Sequence, residues 1–255
     1  METENCISAI VPVHMWGNAA ELSELKLLCD ERNIAIVEDA SESLGTYYIN
    51  GEFDCKHTGT IGKFGCLSFN GNKIITTGGG GAILTNDKAL SIKARYLTTQ
   101  AKDDPVRYIH NEIGFNFRLT NIQAAMGVAQ LENLQKFLQR KEAFYNNYVD
   151  LLKNIDGLSM SKVPSYSKNN HWMSILQIDN RFYKENPEEL MIRLSDRNIQ
   201  TRPVWKLNHL QKPYRNCQAY KIDNADELVK KSLCLPTSTN LSDNDIKFVV
   251  DTLSG

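Results

Sequence analysis

An apolar run, an amphipathic stretch and a second β-branched run follow one another at the start of this chain. Few folds can use that order. Ser8 to Val13 is short and apolar and ends in Pro-Val-His. Such a run reads as a buried strand. Glu21 to Arg32 carries Leu22, Leu25, Leu28 and Cys29 on one helical face, and Asn33 then breaks the helix. Ile34 to Val37 is the second run, ending in Glu38-Asp39. Strand, helix and strand within about 30 residues make a βαβ unit, whose crossover requires a parallel sheet. Ligands of such sheets sit at the carboxyl ends of the strands. His14 and Asp39 both fall at such ends.

The remainder fits an α/β chain with a mostly parallel sheet, followed by a smaller α+β part. Asn50-Gly51 between Tyr47 and Phe53 signals a hairpin. Phe64 to Phe69 is a strand candidate that leads into Asn70-Gly71-Asn72-Lys73. Thr76, Thr77 and the four glycines Gly78 to Gly81 follow, then a short strand over Ala82 to Leu84. A helix is expected over Asp87 to Leu97 with Asn86 as its N-cap. From Thr120 to about Lys153, Ile122, Ala125, Met126, Ala129, Leu131, Leu134, Phe137 and Leu138 recur at helical steps. This long helix, broken once at most, is expected to connect a domain over 1–135 to one over 136–255. In the second domain Trp172 to Ile178 reads as a strand. Glu188 to Arg197, Asp226 to Lys231 and Asp243 to Leu253 read as helices, and Leu233 to Pro236 as a turn.

Bulk properties exclude several classes of function. With a formal net charge of −1 and scattered basic residues, nothing points to nucleic acid or an anionic membrane. No apolar run has the length to cross a bilayer, and METENCISAI lacks the pattern of a secretory signal. The six cysteines (Cys6, Cys29, Cys55, Cys66, Cys217, Cys234) form no CxxC pair. They are expected to be reduced and mostly buried in a cytoplasmic protein. The five histidines are too dispersed to suggest a metal, and none is expected.

Two residues stand out chemically. Lys73 lies between Asn/Gly-rich turns just after a strand, where backbone rather than a mobile helix face would hold it. It is either a surface lysine in a loop or a functional amine. Asp39, at the end of a buried strand, either caps the next helix or meets a positively charged ligand. Pyridoxal chemistry needs both partners: an amine for the Schiff base and an acid against the pyridine nitrogen. The run Gly78 to Gly81 lacks the GxxxxGK[ST] order of a phosphate loop and reads better as a tight turn beside the lysine. Trp205 could line a sugar site or fill the core of the second domain.

Three strings carry a resemblance. VEDASESLGT, GTIGKFGCLSFNGNKIITTGGGGAI and EIGFNFRLTNIQAAMGVAQLENL closely resemble the DegT/DnrJ/StrS sugar aminotransferases. PVHMWGNAAEL, TRPVWKLNHL and LCLPTSTNLSDNDI extend the similarity through nearly the whole chain. The resemblance implies the fold type I architecture of pyridoxal 5′-phosphate (PLP) enzymes. It implies that Lys73 forms the Schiff base and then serves the 1,3-proton transfer as base and acid. Asp39 would pair with the pyridine nitrogen, Ser68 would bind the cofactor phosphate, and His14 would lie near the ring. Asn116 and Arg118 would reach across a homodimer interface to the partner's phosphate; a turn leading into a helix is the plain alternative. Glu42 stands where many members have Gln, and Glu is frequent in the branch acting on UDP-linked 4-keto sugars. SFNGNK and GGGG also look most like that branch. The implied reaction is amino transfer, with glutamate as donor, to a UDP-4-keto-6-deoxy-N-acetylhexosamine. A related dehydratase branch has His in place of the lysine.

The family also carries a substantial stretch before the PVH segment, with a phosphate-binding turn at a helix N-terminus. By that comparison the large domain of this chain is expected to be incomplete and to leave apolar surface uncovered. Two functional expectations follow: an aminotransferase, alone or with a complementing N-terminal fragment, or a non-catalytic remnant or interaction subunit of one.

Overall fold

The computed structural model describes residues 7–254. In chain order its elements begin with β1 (Ala9–Ile10), α1 (Ser23–Glu31), β2 (Ala35–Asp39), β3 (Tyr47–Tyr48), β4 (Phe64–Ser68), β5 (Gly81–Leu84), α2 (Lys88–Thr98) and α3 (Asn121–Glu132). They continue with α4 (Leu134–Leu152), β6 (Leu158–Met160), β7 (Ser167–Lys168), β8 (Ser174–Ile178), α5 (Pro187–Asp196), β9 (Arg202–Pro203), α6 (Asp223–Lys230), β10 (Ser232–Leu235) and α7 (Asp243–Leu253). The described residues divide into two compact units. One runs up to Leu138 and takes in Val163–Trp172; the other is Gln139–Lys162 and the chain from Met173 on.

The first unit is built on a four-stranded sheet in the order β1-β2-β4-β5. β1 and β2 pair in parallel, with Ala9 opposite Ala35, as the βαβ reading requires. β2 and β4 are also parallel, and β5 returns antiparallel to β4. Gly65 in β4 is needed for this packing: a Cβ there would stand 1.9 Å from the Gly59 carbonyl oxygen.

Two local expectations are corrected here. Asn50 and Gly51 do turn with positive φ, but no returning strand forms at Phe53; the chain comes back only as an isolated antiparallel bridge between Tyr47 and His57. Tyr48 N–H donates to Lys56 O at 2.8 Å, and Cys55 N–H to Tyr48 O at 3.0 Å. The ladder partner of β3 is β7, which is antiparallel to it. The N-cap of α2 is Asp87 rather than Asn86: its carboxylate accepts the Ala89 and Leu90 N–H groups. The long helical pattern is broken once, at Asn133, whose Nδ2 donates to the Ala129 carbonyl at 2.8 Å. A carbonyl of the last turn thereby finds a partner.

The second unit is an antiparallel sheet in the order β6-β8-β10-β9. Every residue of β10 is buried, so the apolar string read as a turn is a central strand. Such a run lacks the alternation that marks a half-exposed strand, and length alone does not separate it from a turn. Its core joins Leu176, Leu233 and Leu235 from the strands to Phe144, Leu190, Leu194 and Ile246 from α4, α5 and α7. Burying each such side chain contributes about 1.5–3 kcal/mol.

Of the five described cysteines, Cys29 and Cys234 are buried while Cys55, Cys66 and Cys217 are exposed, against the expectation that most would be buried; Cys6 lies outside the described residues. Among the described residues no helix is long and apolar enough to cross a membrane, and no cluster of side chains suits a metal ion.

Candidate functional site

The sheet of the first unit has two unlike faces because side chains alternate along a strand. Ile36, Glu38 and Ala40 point to the closed face and are buried. Val37 and Asp39 point to the other, beside their register partners Phe64 and Cys66. Ser68 shares that face with Cys66, two residues earlier in β4. Asp39 and Ser68 therefore occupy the same face, each as the last residue of its strand. Asp39 Oδ1 accepts the Ser41 N–H at 3.0 Å, which orients the carboxylate. Although Cys66 is exposed, partial desolvation of its sulfur pushes the thiol up, and the neighbouring Asp39 charge adds to the effect.

On the closed face lies a fully buried polar knot. Glu38 Oε1 accepts the Ile61 and Gly62 N–H groups at 2.7 and 2.6 Å. Its Oε2 accepts Gly59 N–H at 2.7 Å and meets His14 Nε2 at 2.9 Å. Ala20 N–H donates to His14 Nδ1 at 3.0 Å, so the imidazole proton sits on Nε2. Burial raises the Glu38 carboxyl, but the hydrogen bonds from His14, Gly62 and Gly59 outweigh it and hold the group below the usual carboxylate range. His14 was expected beside a cofactor ring. Its ring is 0 % exposed, both nitrogens are engaged within the protein, and it packs on the face opposite Asp39 and Ser68.

Lys73 is held where its sequence context suggested. Its N–H closes a turn onto Asn70 O at 3.0 Å, and the next two residues, Ile74 and Ile75, are buried. Two groups flank its side chain. Glu42 Oε1 stands 3.8 Å from Nζ, and Nζ lies 4.4 Å from the centre of the Trp172 ring. Glu42 is itself oriented: its Oε2 accepts Trp16 N–H at 2.8 Å. Trp16 has a left-handed backbone with φ 53°, and its buried indole N–H has no hydrogen-bond partner.

The structure thus brings Lys73 and Glu42 into contact and sets Asp39 three residues before Glu42, with Ser68 on the adjacent strand. Asn116 and Arg118 lie on an exposed segment next to stacked Phe115 and Phe117. The glycine run is a turn: Gly78 and Gly80 have positive φ, and strand β5 rather than a helix follows. Trp205, 39 % exposed, is not a core residue.

Sequence reasoning overlooked Glu38, Asn170 and Trp172. Glu38 had a signal: a carboxylate at an inward position of a strand whose inward neighbours are apolar. Asn170 and Trp172 had none, since they lie about 100 residues from the lysine in sequence.

Comparisons with known proteins agree with one another. Residues 2–254 match the DegT/DnrJ/EryC1/StrS aminotransferase family. Bacillus subtilis EpsN, to which a pyridoxal phosphate-dependent aminotransferase activity is ascribed, is 37 % identical over 249 residues, which are 96 % of this chain and 62 % of EpsN. GDP-perosamine synthase of Escherichia coli O157:H7 is 34 % identical over 98 % of this chain and 66 % of its own length. The crystal structure of DesI with its TDP-sugar product superposes with a TM-score of 0.88 at 27 % identity, covering 97 % of this chain and 62 % of DesI. The chain thus spans a little under two thirds of the length of these relatives.

Proposed function

Because this chain belongs to the DegT/DnrJ/EryC1/StrS aminotransferase family, whose members depend on PLP and share its fold type I architecture, we propose that it transfers an amino group to a nucleotide-linked 4-keto-6-deoxy sugar. The observation that carries the proposal is the meeting of Lys73 and Glu42 at the carboxyl end of a parallel strand pair, where Asp39 and Ser68 share one face.

These residues fit the cofactor by the chemistry of their donors. PLP has an aldehyde, a basic ring nitrogen and a phosphate. The first unit offers an amine, a carboxylate at a strand end and a hydroxyl. Lys73 would hold the aldehyde carbon, Asp39 the protonated ring nitrogen and Ser68 the phosphate. The bound cofactor supplies an electron sink for the carbon that loses a proton. Lys73 Nζ is the atom that moves that proton, and Glu42 Oε1 is placed to hold the amine in position. His14 acts at one remove: through Glu38 it stiffens the strand that ends in Asp39.

Glutamate is the amino donor in this reading. Glu42 and the strings SFNGNK and GGGG support a UDP-linked N-acetylhexosamine as acceptor. The relatives' own names include GDP and TDP sugars, so the nucleotide is the feature to test. The partner is a second copy of the chain. Asn116 and Arg118 lie on its exposed segment beside Phe117, and Ile113 and Ile122 there are 88 % and 80 % exposed. That apolar segment also favours a second reading, a non-catalytic interaction subunit of such an enzyme.

The deciding experiment measures 2-oxoglutarate released from glutamate with UDP-, GDP- and TDP-linked 4-keto-6-deoxy sugars. The chain is assayed alone and together with the relatives' N-terminal stretch. Release with the UDP sugar, abolished by Lys73→Ala, is expected. No release with any sugar in either arrangement would leave the interaction-subunit reading standing.

A further inference from the structure

We infer that Trp172 is a positioning residue for Lys73, a platform that sets the amine before any cofactor arrives. The inference rests on the reading of Lys73 as the cofactor lysine. Trp172 is 2 % exposed, so its ring is fixed by its surroundings. It acts on Lys73 twice. Its indole Nε1–H donates to the Asn72 carbonyl at 2.7 Å, pinning the peptide that leads directly into Lys73. Its ring face lies 4.4 Å from Nζ, where the negative π surface attracts a cation.

The carboxylate that meets the ammonium is set by the same device. Asn170 Oδ1 accepts the Trp172 N–H at 2.9 Å. Asn170 Nδ2 donates to the carbonyls of Glu42 and Leu44, both at 2.9 Å. One asparagine therefore ties the backbone of Trp172 to the backbone of Glu42. A lysine side chain has four rotatable bonds and loses much entropy when fixed. Trp172 and Glu42 meet that cost within the free protein, so the amine is already presented when an aldehyde reaches it.

The test uses the full chain, PLP and borohydride, with site-resolved mass spectrometry of the captured lysines. Capture begins when the Lys73 ammonium gives a proton to the buffer; the free amine then forms a carbon–nitrogen bond to the aldehyde carbon with loss of water, and borohydride supplies the hydride that reduces the C=N bond. In the wild type, Lys73 is expected to be captured faster than the exposed Lys153. Trp172→Leu should slow capture at Lys73 about tenfold, the combined worth of one hydrogen bond and one ring face, and leave Lys153 unchanged. Trp172→Phe keeps a ring without the N–H and should recover about a third of the wild-type rate. A general loss of structure would alter both lysines, whereas this role alters their ratio. If Lys73 is preferred in the wild type and equally preferred in both variants, the platform role is overturned while Lys73 keeps its assignment. No preference for Lys73 in the wild type overturns that assignment itself. Should Trp172→Leu fail to fold, an unchanged ratio in Trp172→Phe is the overturning result.

Discussion

Glu38 and Asp39 are neighbours with opposite environments, and strand alternation is the reason. All four groups around the Glu38 carboxylate are donors: three backbone N–H groups and His14 Nε2. Glu38→Gln is therefore not conservative, because its amide would turn a donor towards donors. A loss of about 3 kcal/mol is expected in chemical denaturation, as for a broken buried network. The sign with pH follows from the depressed carboxyl. Its stabilisation is full above the ordinary carboxylate range and is lost as pH falls through the lower folded value, so the variant should show a weaker acid dependence. Gly17 offers a second test. Its φ is +84°, and a Cβ there would lie 2.0 Å from Asn170 Oδ1. Gly17→Ala should cost about 2 kcal/mol or more in a thermal melt, from the strained backbone and the displaced Asn170 together. At this scale Lys73 and Asp39 were legible because their neighbours in sequence, turns and a strand end, already restrict them. Trp172 was not, because nothing local records a contact made 100 residues away.

Helices show which signals are local and which are not. Asn186 caps α5 in a reciprocal box with Glu189, visible in the string Asn-Pro-Glu-Glu. Asn186→Ala should destabilise the second unit by about 1 kcal/mol, read from its denaturation midpoint. α4 carries a feature that periodicity hides. Lys141 is buried, and its Nζ donates to the carbonyl and, at 3.4 Å, to the hydroxyl of Thr237. Burial pushes its ammonium down to about 8. The unfolded chain then binds more protons than the folded one between that value and the ordinary lysine value of 10.5. Stability should accordingly rise across that window, by about 3 kcal/mol if fully expressed, and Lys141→Met should flatten the rise. By charge alone Arg140 and Lys141 read as a solvated face, and only the packing of α4 shows that Lys141 points inward.

At the scale of the whole molecule, the first unit leaves many large apolar side chains exposed. No residue of α2 is buried, and in α3 only Gly127 is. Ile122 projects into solvent although its spacing reads as a core position. Periodicity reports that a helix has an apolar face; it does not report what covers it. Exposed apolar side chains grouped on one segment are what an association surface requires. On the proposed homodimer, Phe117→Asp with Ile122→Asp should abolish self-association in sedimentation velocity and leave the far-ultraviolet circular dichroism unchanged.

The sequence by itself determined the opening order of strand, helix and strand, the parallel pairing of β1 with β2 and the turns that hold Lys73. Each depends on side-chain period, turn residues or a contiguous string, and all of these act over a few residues. Only the tertiary structure decided that Glu38 faces inward with His14 while Asp39 and Ser68 share the other face. It alone joined Asn170 and Trp172 to Lys73. Those contacts depend on how distant segments close on one another, and a hydrogen bond of 2.7 Å between residues 72 and 172 leaves no trace in the spacing of either.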